Sequence, residues 1–214
     1  MSILVTGFDA GHDKVNASAA LVSSLRDDLP QQLLPLRPRL HFAILPLSIA
    51  GLREAVLAEI AACQPKFCVF TGQARGRNKV NLERLATNLR DFDSPDIEGC
   101  QPRGERIEID GPAAYWSTLP GQEAMIERLN RQGIPAALSN HAGNHLCNQL
   151  LYQTLHWAQQ NGSGLACGFV HIPPLPIQVR RQWPETPFMP LEMTRSALAQ
   201  ILLVLVQQAG ASPS

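Results

Sequence analysis

The chain has 214 residues, of which 45% are hydrophobic and 17% charged, a composition that excludes a disordered chain and suits one domain with its own core. Its 18 basic and 18 acidic residues balance, which argues against nucleic-acid or anionic-membrane partners. The opening stretch MSILVTGFDAGHDK lacks the features of a signal peptide, and apolar runs such as AQILLVLV are too short to span a bilayer. We therefore expect a soluble, cytoplasmic protein.

Apolar periodicity and turn residues divide the chain into short strands and longer helices. In chain order, the predicted elements are strand SILVTG (2–7), helix SAALVSSLRDDL (18–29), strand LHFAILPL (40–47), helix 48–64, strand KFCVFTGQ (66–73), helix NLERLATNL (81–89), loop 91–105, strand ERIEID (105–110), helix 120–133, strand IPAALSN (134–140), helix CNQLLYQTLHWAQQNG (147–162), strand LACGFVHIPPLP (165–176) and helix 191–208.

Strands that alternate with helices are typical of an α/β fold with a mostly parallel sheet. We predict a single-domain, three-layer α/β/α architecture over residues 1–209, followed by a frayed tail at 210–214. The alternating strand 105–110 indicates an added antiparallel part, which makes the sheet partly mixed. Sites in such sheets form where parallel strands end, so residues at those ends are the first candidates.

The cysteines are odd in number, at five, and their spacing does not contain two CxxC pairs. A zinc site or a disulfide framework is therefore not expected. Each cysteine is then either a small core hydrophobe or a working thiol. Cys147 stands out because a polar, glycine-containing loop turns there into an apolar helix.

Cys147 has a structural and a functional interpretation. Most free cysteines pack as hydrophobic residues, so a buried core thiol is the plain alternative. A thiol in the first turn of a helix faces unpaired N–H groups and the positive end of the helix dipole, both of which favour the thiolate and lower the pKa. The same N–H groups can bind a developing oxyanion, so Cys147 is a candidate nucleophile.

A cysteine nucleophile also needs a base, and His171 is the best candidate among the six histidines. His171 lies near the end of an apolar strand that prolines terminate, although a structural histidine is possible there. A carboxylate would orient the imidazole, and spacing alone leaves that acid open. The candidates are Glu83, Asp93, Asp96 and Glu98, each of which could equally be a solvated charge.

Read together, several segments resemble the pyroglutamyl peptidase family of cytoplasmic cysteine exopeptidases, from the first strand to about Gln178. ILVTGF resembles the opening strand and glycine loop, and FTGQARGRNKVNLERLATN resembles the Gly-Gln-Ala-x-Gly-Arg segment with the helix that carries the catalytic glutamate. SPDIEGCQP resembles the following loop, SNHAGNHLCNQLLY the nucleophile motif, and GFVHIPPLPIQ the histidine segment. The same order of segments in one chain makes the resemblance specific.

The resemblance implies that Cys147 is the nucleophile, His171 the general base and acid, and Glu83 the residue that orients the imidazole. The implied reaction removes an N-terminal pyroglutamyl residue from a peptide through a thioester acyl-enzyme, with no metal or organic cofactor. Phe8 matches one aromatic wall of the family's ring slot, and Gln73 matches a residue lining it. The resemblance further implies a homo-oligomer, either a tetramer or a dimer.

Two departures from the family pattern leave alternatives open. The first loop, Ala10 to Asp13, lacks the family's second phenylalanine, which predicts a raised KM unless His12 substitutes for it. Asp93 stands where the family has an arginine, a loss that Arg90 or Arg75 would have to offset. The alternatives to an active pyroglutamyl peptidase are therefore a divergent binding or vestigial member with weak or no activity, and a different acyl-transfer enzyme of altered acyl-group selectivity.

Overall fold

The computed structural model describes residues 1–182 and 184–210, and the strands and helices of this part follow the α/β alternation. The strands are β1 (Ile3–Phe8), β2 (Leu40–Leu45), β3 (Phe67–Gln73), β4 (Val80–Glu83), β5 (Leu85–Thr87), β6 (Ala114–Trp116), β7 (Ala136–Ser139) and β8 (Ala166–Ile172). The helices are α1 (Ala17–Asp27), α2 (Ile49–Cys63), α3 (Gln122–Arg131), α4 (Leu146–Gln160), α5 (Pro176–Gln182) and α6 (Leu191–Gly210), with a 3-10 helix at Gln31–Arg39.

The central sheet has six strands in the order β2-β1-β3-β8-β4-β7. The strands β2, β1, β3 and β8 run parallel, β4 pairs antiparallel with β8, and β7 is parallel to β4. β5 and β6 form a separate antiparallel pair. The prediction of an α/β fold with a mostly parallel, partly mixed sheet is confirmed.

Helices cover both faces of the sheet, so the fold has three layers. One face carries the α6-side cluster, in which strand residues such as Val5 and Val69 pack with residues of α1, α3 and α6. The other face carries the α4-side cluster, in which Phe70 and Phe169 pack with residues of α2 and α4. Because successive strand residues point to opposite faces, strands β1, β2, β3 and β8 supply side chains to both clusters.

Two predicted elements are wrong, and both lie in the region between β3 and α3. The predicted helix 81–89 forms β4 and β5, because Val80 to Glu83 pairs with β7 on one side and β8 on the other. The predicted strand 105–110 forms only a single bridge, between Glu105 and Arg90, and then turns. The antiparallel part of the central sheet is therefore supplied by β4 and β7.

The C-terminal end differs from the prediction by one residue. Gly210 is the last residue of α6 rather than the first residue of a tail. The remainder of the predicted frayed tail, 211–214, lies outside the described residues.

Candidate active site

The sheet register brings Glu83 and His171 to the same face. His171 of β8 pairs with Gly72 of β3, and Glu83 of β4 pairs with Phe169, two residues before His171. Paired residues, and residues two apart on a strand, point to the same side of a sheet. Phe169 belongs to the α4-side cluster, so both titratable side chains project toward the layer that contains α4.

His171 and Glu83 form a buried hydrogen-bonded pair. His171 Nδ1 lies 2.8 Å from Glu83 Oε1, and the two residues are 3% and 0% exposed. A carboxylate only accepts hydrogen bonds, so an ionised Glu83 places the proton of a neutral imidazole on Nδ1 and leaves Nε2 as the acceptor. Glu83, one of the acids that spacing alone left open, is thus the one in contact with the imidazole.

Cys147 lies in the first turn of α4, which begins one residue earlier than predicted, at Leu146. Its Sγ atom is next to Gly72, the residue that pairs with His171. A Cβ atom built on Gly72 would lie 2.9 Å from that Sγ and 2.7 Å from Phe169 Cζ. The glycine therefore makes room for the thiol directly beside the strand position of the imidazole.

The expected lowering of the Cys147 pKa is wrong. Burial, followed by the nearby Glu83 charge, raises the pKa of the thiol to about 12, and the backbone N–H and Arg77 offset only part of this. Burial likewise lowers the pKa of His171, against the opposing effect of Glu83. At neutral pH the site therefore holds a neutral thiol and a neutral imidazole rather than a preformed ion pair.

Asn148, the residue after the nucleophile candidate, fixes the start of α4 to β5. Its Oδ1 accepts a hydrogen bond from the Thr87 N–H at 2.8 Å, and its Nδ2 donates to the carbonyls of Thr87 at 2.8 Å and Leu89 at 3.1 Å. The helix has no side-chain cap at His145, so no capping side chain occupies its first N–H groups. The first N–H groups of a helix have no acceptor within the helix, and such groups can bind an oxyanion.

Sequence reasoning missed Arg77. Its Nη1 lies 3.1 Å from Glu83 Oε1, and its Nη2 donates to the His141 carbonyl at 2.7 Å. The signal was present, because Arg77 is the arginine of the quoted GQARGR segment. A spacing argument could not find it, since the contact depends on the turn between β3 and β4.

The predicted substrate residues Phe8 and Gln73 lie at the ends of β1 and β3. Phe8 is 2% exposed, and its ring centroid is 6.5 Å from that of Phe169. Gln73 Oε1 accepts hydrogen bonds from the Ala17 N–H at 2.9 Å and from Gln178 Nε2 at 2.8 Å. Gln73 thus ties β3 to the start of α1, which orients its side chain at the strand end.

The first loop and the segment after β5 meet across a cavity of about 240 Å³. Its lining residues are Ala10, Gly11, His12, Asp13, Leu47, Ser94, Pro95, Asp96, Ile97 and His145. The His145 ring stacks on Phe92 at 3.7 Å, and its Nε2 contacts the Ser94 carbonyl at 3.1 Å. The cavity therefore adjoins the start of α4, and neither Phe8 nor Gln73 lines it.

The two departures from the family pattern have distinct surroundings. His12, the suggested substitute for the missing phenylalanine, lines the cavity. Asp93 is exposed. Arg90 is one suggested replacement for the missing arginine. Its Nε donates a hydrogen bond to Gln149 Oε1 at 2.9 Å, so the side chain is held against α4. Asp96 and Glu98, the other acid candidates, bond near the start of α2: Asp96 accepts from the Ile49 N–H, and Glu98 from Ser48.

No helix in 1–182 or 184–210 is long and apolar enough to cross a membrane. Within the same ranges, no group of three or more His, Cys, Asp or Glu side chains is placed to hold a metal ion.

Comparison with known proteins identifies the family. A family model described as pyroglutamyl peptidase matches residues 1–208. Pyrrolidone-carboxylate peptidase 1 of Caldanaerobacter subterraneus subsp. tengcongensis is 34% identical over 209 residues, covering 97% of this chain and 98% of that protein. The pyrrolidone-carboxylate peptidase of Brevibacillus brevis is 38% identical over 192 residues, which cover 89% of this chain and 86% of that protein.

Solved structures agree with these relatives. The crystal structure of pyroglutamyl peptidase I from Bacillus amyloliquefaciens matches with a TM-score of 0.86 at 32% identity, covering 96% of this chain and 97% of that one. A mutant pyrrolidone carboxyl peptidase from Pyrococcus furiosus matches with a TM-score of 0.87 at 29% identity, and the match covers 98% of this chain and 100% of that one. The protein is therefore an enzyme, a hydrolase of the peptidase class. More narrowly, the chain belongs to the pyroglutamyl peptidase family.

Proposed function

We propose that this protein is a cysteine exopeptidase that removes an N-terminal pyroglutamyl residue from peptides, with Cys147, His171 and Glu83 as its catalytic residues. The observation that carries the proposal is the 2.8 Å contact between His171 Nδ1 and Glu83 Oε1, beside a strand position where Gly72 leaves room for Cys147 Sγ. A nucleophile, a base and an orienting acid in one place are what acyl transfer requires.

The proposed reaction begins with His171 Nε2 taking the thiol proton as Cys147 Sγ attacks the pyroglutamyl carbonyl carbon. The carbonyl oxygen becomes an oxyanion, for which first-turn N–H groups of α4 are the proposed donors. Collapse of this intermediate breaks the C–N bond, and His171 donates its proton to the leaving amine. A thioester remains, and His171 then deprotonates a water molecule that releases free pyroglutamate and restores the thiol.

A raised thiol pKa and a lowered imidazole pKa fit this order of events. A neutral His171 can accept a proton, and a neutral Cys147 has one to give, so the transfer takes place during the attack. Glu83 stabilises the imidazolium that forms for that moment. The proposal requires no metal or organic cofactor.

The test is the release of a fluorogenic amine from a pyroglutamyl-amide substrate. We expect Cys147→Ala and His171→Ala each to lower kcat by about a thousandfold or more. Cys100→Ala, at an exposed cysteine, and His41→Ala, in the edge strand β2, are the matched controls and should retain activity. Full activity in the Cys147→Ala variant would disprove the nucleophile assignment.

A second candidate, altered acyl-group selectivity or weak activity, is favoured by the cavity beside α4. Its wall holds Ala10 and His12 in the loop that lacks the family's second phenylalanine. A polar wall would bind a flat apolar ring less strongly and would accept more polar acyl groups. A panel of acyl amides separates the two candidates, because only selectivity would rank another acyl group above pyroglutamyl.

The cellular location and the assembly state belong to the same proposal. We retain a cytoplasmic location and a homo-oligomer, either a tetramer or a dimer. Trp116 and Ile109 expose large apolar side chains, at 64% and 81%, and such side chains are often covered in assemblies. Size-exclusion chromatography coupled to light scattering measures the mass of the protein in solution. A mass near the 23.4 kDa of one chain would contradict the oligomer.

A further inference from the structure

Glu83 is a buried carboxylate with few partners. The residue is 0% exposed, and its Oε1 takes both contacts, from His171 Nδ1 at 2.8 Å and from Arg77 Nη1 at 3.1 Å. Its Oε2 has no hydrogen-bond partner among the described residues. Burial of an ionised carboxylate is costly unless a charge compensates it. Arg77 is the cation in contact with Glu83, so this guanidinium is the group that compensates the buried carboxylate.

Arg77 also contacts the segment that leads into the nucleophile. Its Nη2 donates to the carbonyl of His141 at 2.7 Å, and residues 141–145 run from there to the start of α4. One guanidinium therefore joins the acid to the loop that precedes Cys147. Only the planar, two-pronged donor of arginine reaches both acceptors at once, whereas a lysine ammonium acts as a single point charge.

We propose that Arg77 is a positioning residue for the reaction: it compensates the buried Glu83 carboxylate and connects that acid to the loop that precedes Cys147. The inference rests on the proposed function and adds a fourth residue that acts through the other three. Arg77 is not itself placed to touch the reacting atoms. Its role is to hold Glu83 as an acceptor for His171 while leaving the imidazole neutral.

The electrostatic consequence concerns His171. The charged or titratable groups that act on it are Glu83 on β4, Arg77 in the β3–β4 turn and His141 in the loop before α4. Cys147 on α4 lies next to Gly72, the residue paired with His171. The Glu83 charge raises the pKa of His171, whereas Arg77 and His141 lower it, and burial lowers it most. Removal of the Arg77 charge therefore raises the pKa of His171 and stabilises the imidazolium, which cannot accept the thiol proton.

The acid limb of the pH profile reports the protonation of His171. Activity needs neutral His171, so kcat/KM of the wild type rises as pH increases through the pKa of His171 in the free enzyme. Because that pKa lies below its ordinary value of 6.5, this acid limb lies below pH 6.5. Loss of the Arg77 charge moves the acid limb to higher pH.

The experiment compares three variants of the full chain. Arg77→Met removes the charge and both hydrogen bonds, and Arg77→Lys keeps the charge without the two-pronged contact. Arg84→Met is the matched control, because Arg84 Nε donates to Asn140 Oδ1 at 2.8 Å, while among the described residues its guanidinium forms no ion pair with the Glu83 carboxylate. Each variant is measured for kcat, KM and the pH profile of kcat/KM, after a thermal melt has established that it is folded.

We expect Arg77→Met to lower kcat roughly 10–100-fold with KM little changed, and to move the acid limb up by about 1 pH unit. Arg77→Lys should keep the acid limb near its wild-type position and recover part of kcat. Arg84→Met should alter neither quantity. An unchanged acid limb in Arg77→Met, or an equal shift in Arg84→Met, would overturn the proposal and leave a purely structural role.

A substrate-free readout separates this inference from the proposed function. The imidazole of His171 is followed by NMR across pH, with its signal assigned by the His171→Ala variant. If the wild type releases no amine, the proposed function fails, yet the titration still tests Arg77. A titration midpoint of His171 that is higher in Arg77→Met than in the wild type supports the proposal, and a midpoint equal to that of the wild type contradicts it.

Discussion

At the scale of single residues, the site depends on which side chains meet from distant parts of the chain. The sequence identifies Cys147 and His171 by type and local setting, as a thiol at a helix start and a histidine in an apolar strand. It could not choose Glu83 over Asp93, Asp96 or Glu98 without the family resemblance, because the choice depends on strand register. Arg77 was missed because its contact with Glu83 depends on the turn between β3 and β4.

The direction of the Cys147 pKa could not be predicted either. The helix terminus, visible in the sequence, favours the thiolate, but burial and the Glu83 charge outweigh it and raise the pKa to about 12. Burial of the thiol and its proximity to Glu83 both arise from tertiary packing. The site is thus a neutral pair that depends on proton transfer during the attack, and it is sensitive to the distance between thiol and imidazole.

Gly72 leaves the space that Cys147 Sγ occupies next to the strand position of His171, and Gly72→Ala tests this arrangement. The added Cβ would lie 2.9 Å from Cys147 Sγ and 2.7 Å from Phe169 Cζ, closer than side chains tolerate, so the thiol or the ring must move. We expect kcat/KM to fall about 100-fold, together with a destabilisation of about 1–3 kcal/mol from overpacking. Enzyme kinetics and denaturant unfolding measure the two effects.

Gly164→Ala is the matched control, because a Cβ at Gly164 meets nothing within 4 Å. This variant should keep both activity and stability. Wild-type kinetics in Gly72→Ala would mean that Cys147 does not react from its position beside His171.

At the scale of elements, most strands and helices follow from periodicity, and the failures lie where pairing or side-chain bonds override it. The segment 81–89 has helical spacing of its leucines, yet Val80 to Glu83 lies between two strands and takes their conformation. The segment 105–110 alternates like a strand, but Asn88 Oδ1 accepts the N–H groups of Ile107 and Glu108 and bends it. The partners that override the local pattern, strands β7 and β8 in one case and Asn88 in the other, are distant in sequence.

Asn148 shows how one side chain positions an element. It is 1% exposed and makes hydrogen bonds of 2.8 Å, 2.8 Å and 3.1 Å to the backbone of β5 and the residues after it. Asn148→Ala leaves these buried groups without partners, at a cost of about 1–3 kcal/mol for an unsatisfied group. Because the start of α4 loses its tie, we expect kcat to fall as well, measured alongside the melting temperature.

The comparison for Asn148→Ala is Asn161→Ala at the other end of α4. Asn161 Nδ2 donates to the Trp157 carbonyl at 2.8 Å in an exposed position, and it is remote from Cys147. Its loss should cost little stability and no activity. Equal effects of the two substitutions on kcat would show that Asn148 has no specific role in placing the nucleophile.

At the scale of the whole molecule, the fold class was predictable and the strand order was not. Alternating strands and helices predict a layered α/β fold, because each amphipathic element must bury its apolar side. The order β2-β1-β3-β8-β4-β7 places β8 between β3 and β4, and thereby puts His171 between Gly72 and Asn81. That arrangement depends on non-local packing that no local pattern records.

The two faces of the sheet divide stability from chemistry, and Leu202→Ala tests this division. Leu202 of α6 is fully buried in the α6-side cluster, whereas Cys147 packs against the α4-side cluster. Truncation of a buried leucine costs about 2–5 kcal/mol. Because the sheet separates Leu202 from the site, we expect a lower melting temperature for Leu202→Ala, with kcat/KM unchanged at temperatures well below it.

Leu150→Ala, in α4 and equally buried, should lower both the melting temperature and kcat/KM, since it loosens the helix that carries the thiol. If Leu202→Ala lowers kcat/KM at a temperature where the enzyme is fully folded, the two faces are coupled through the sheet and the division is wrong.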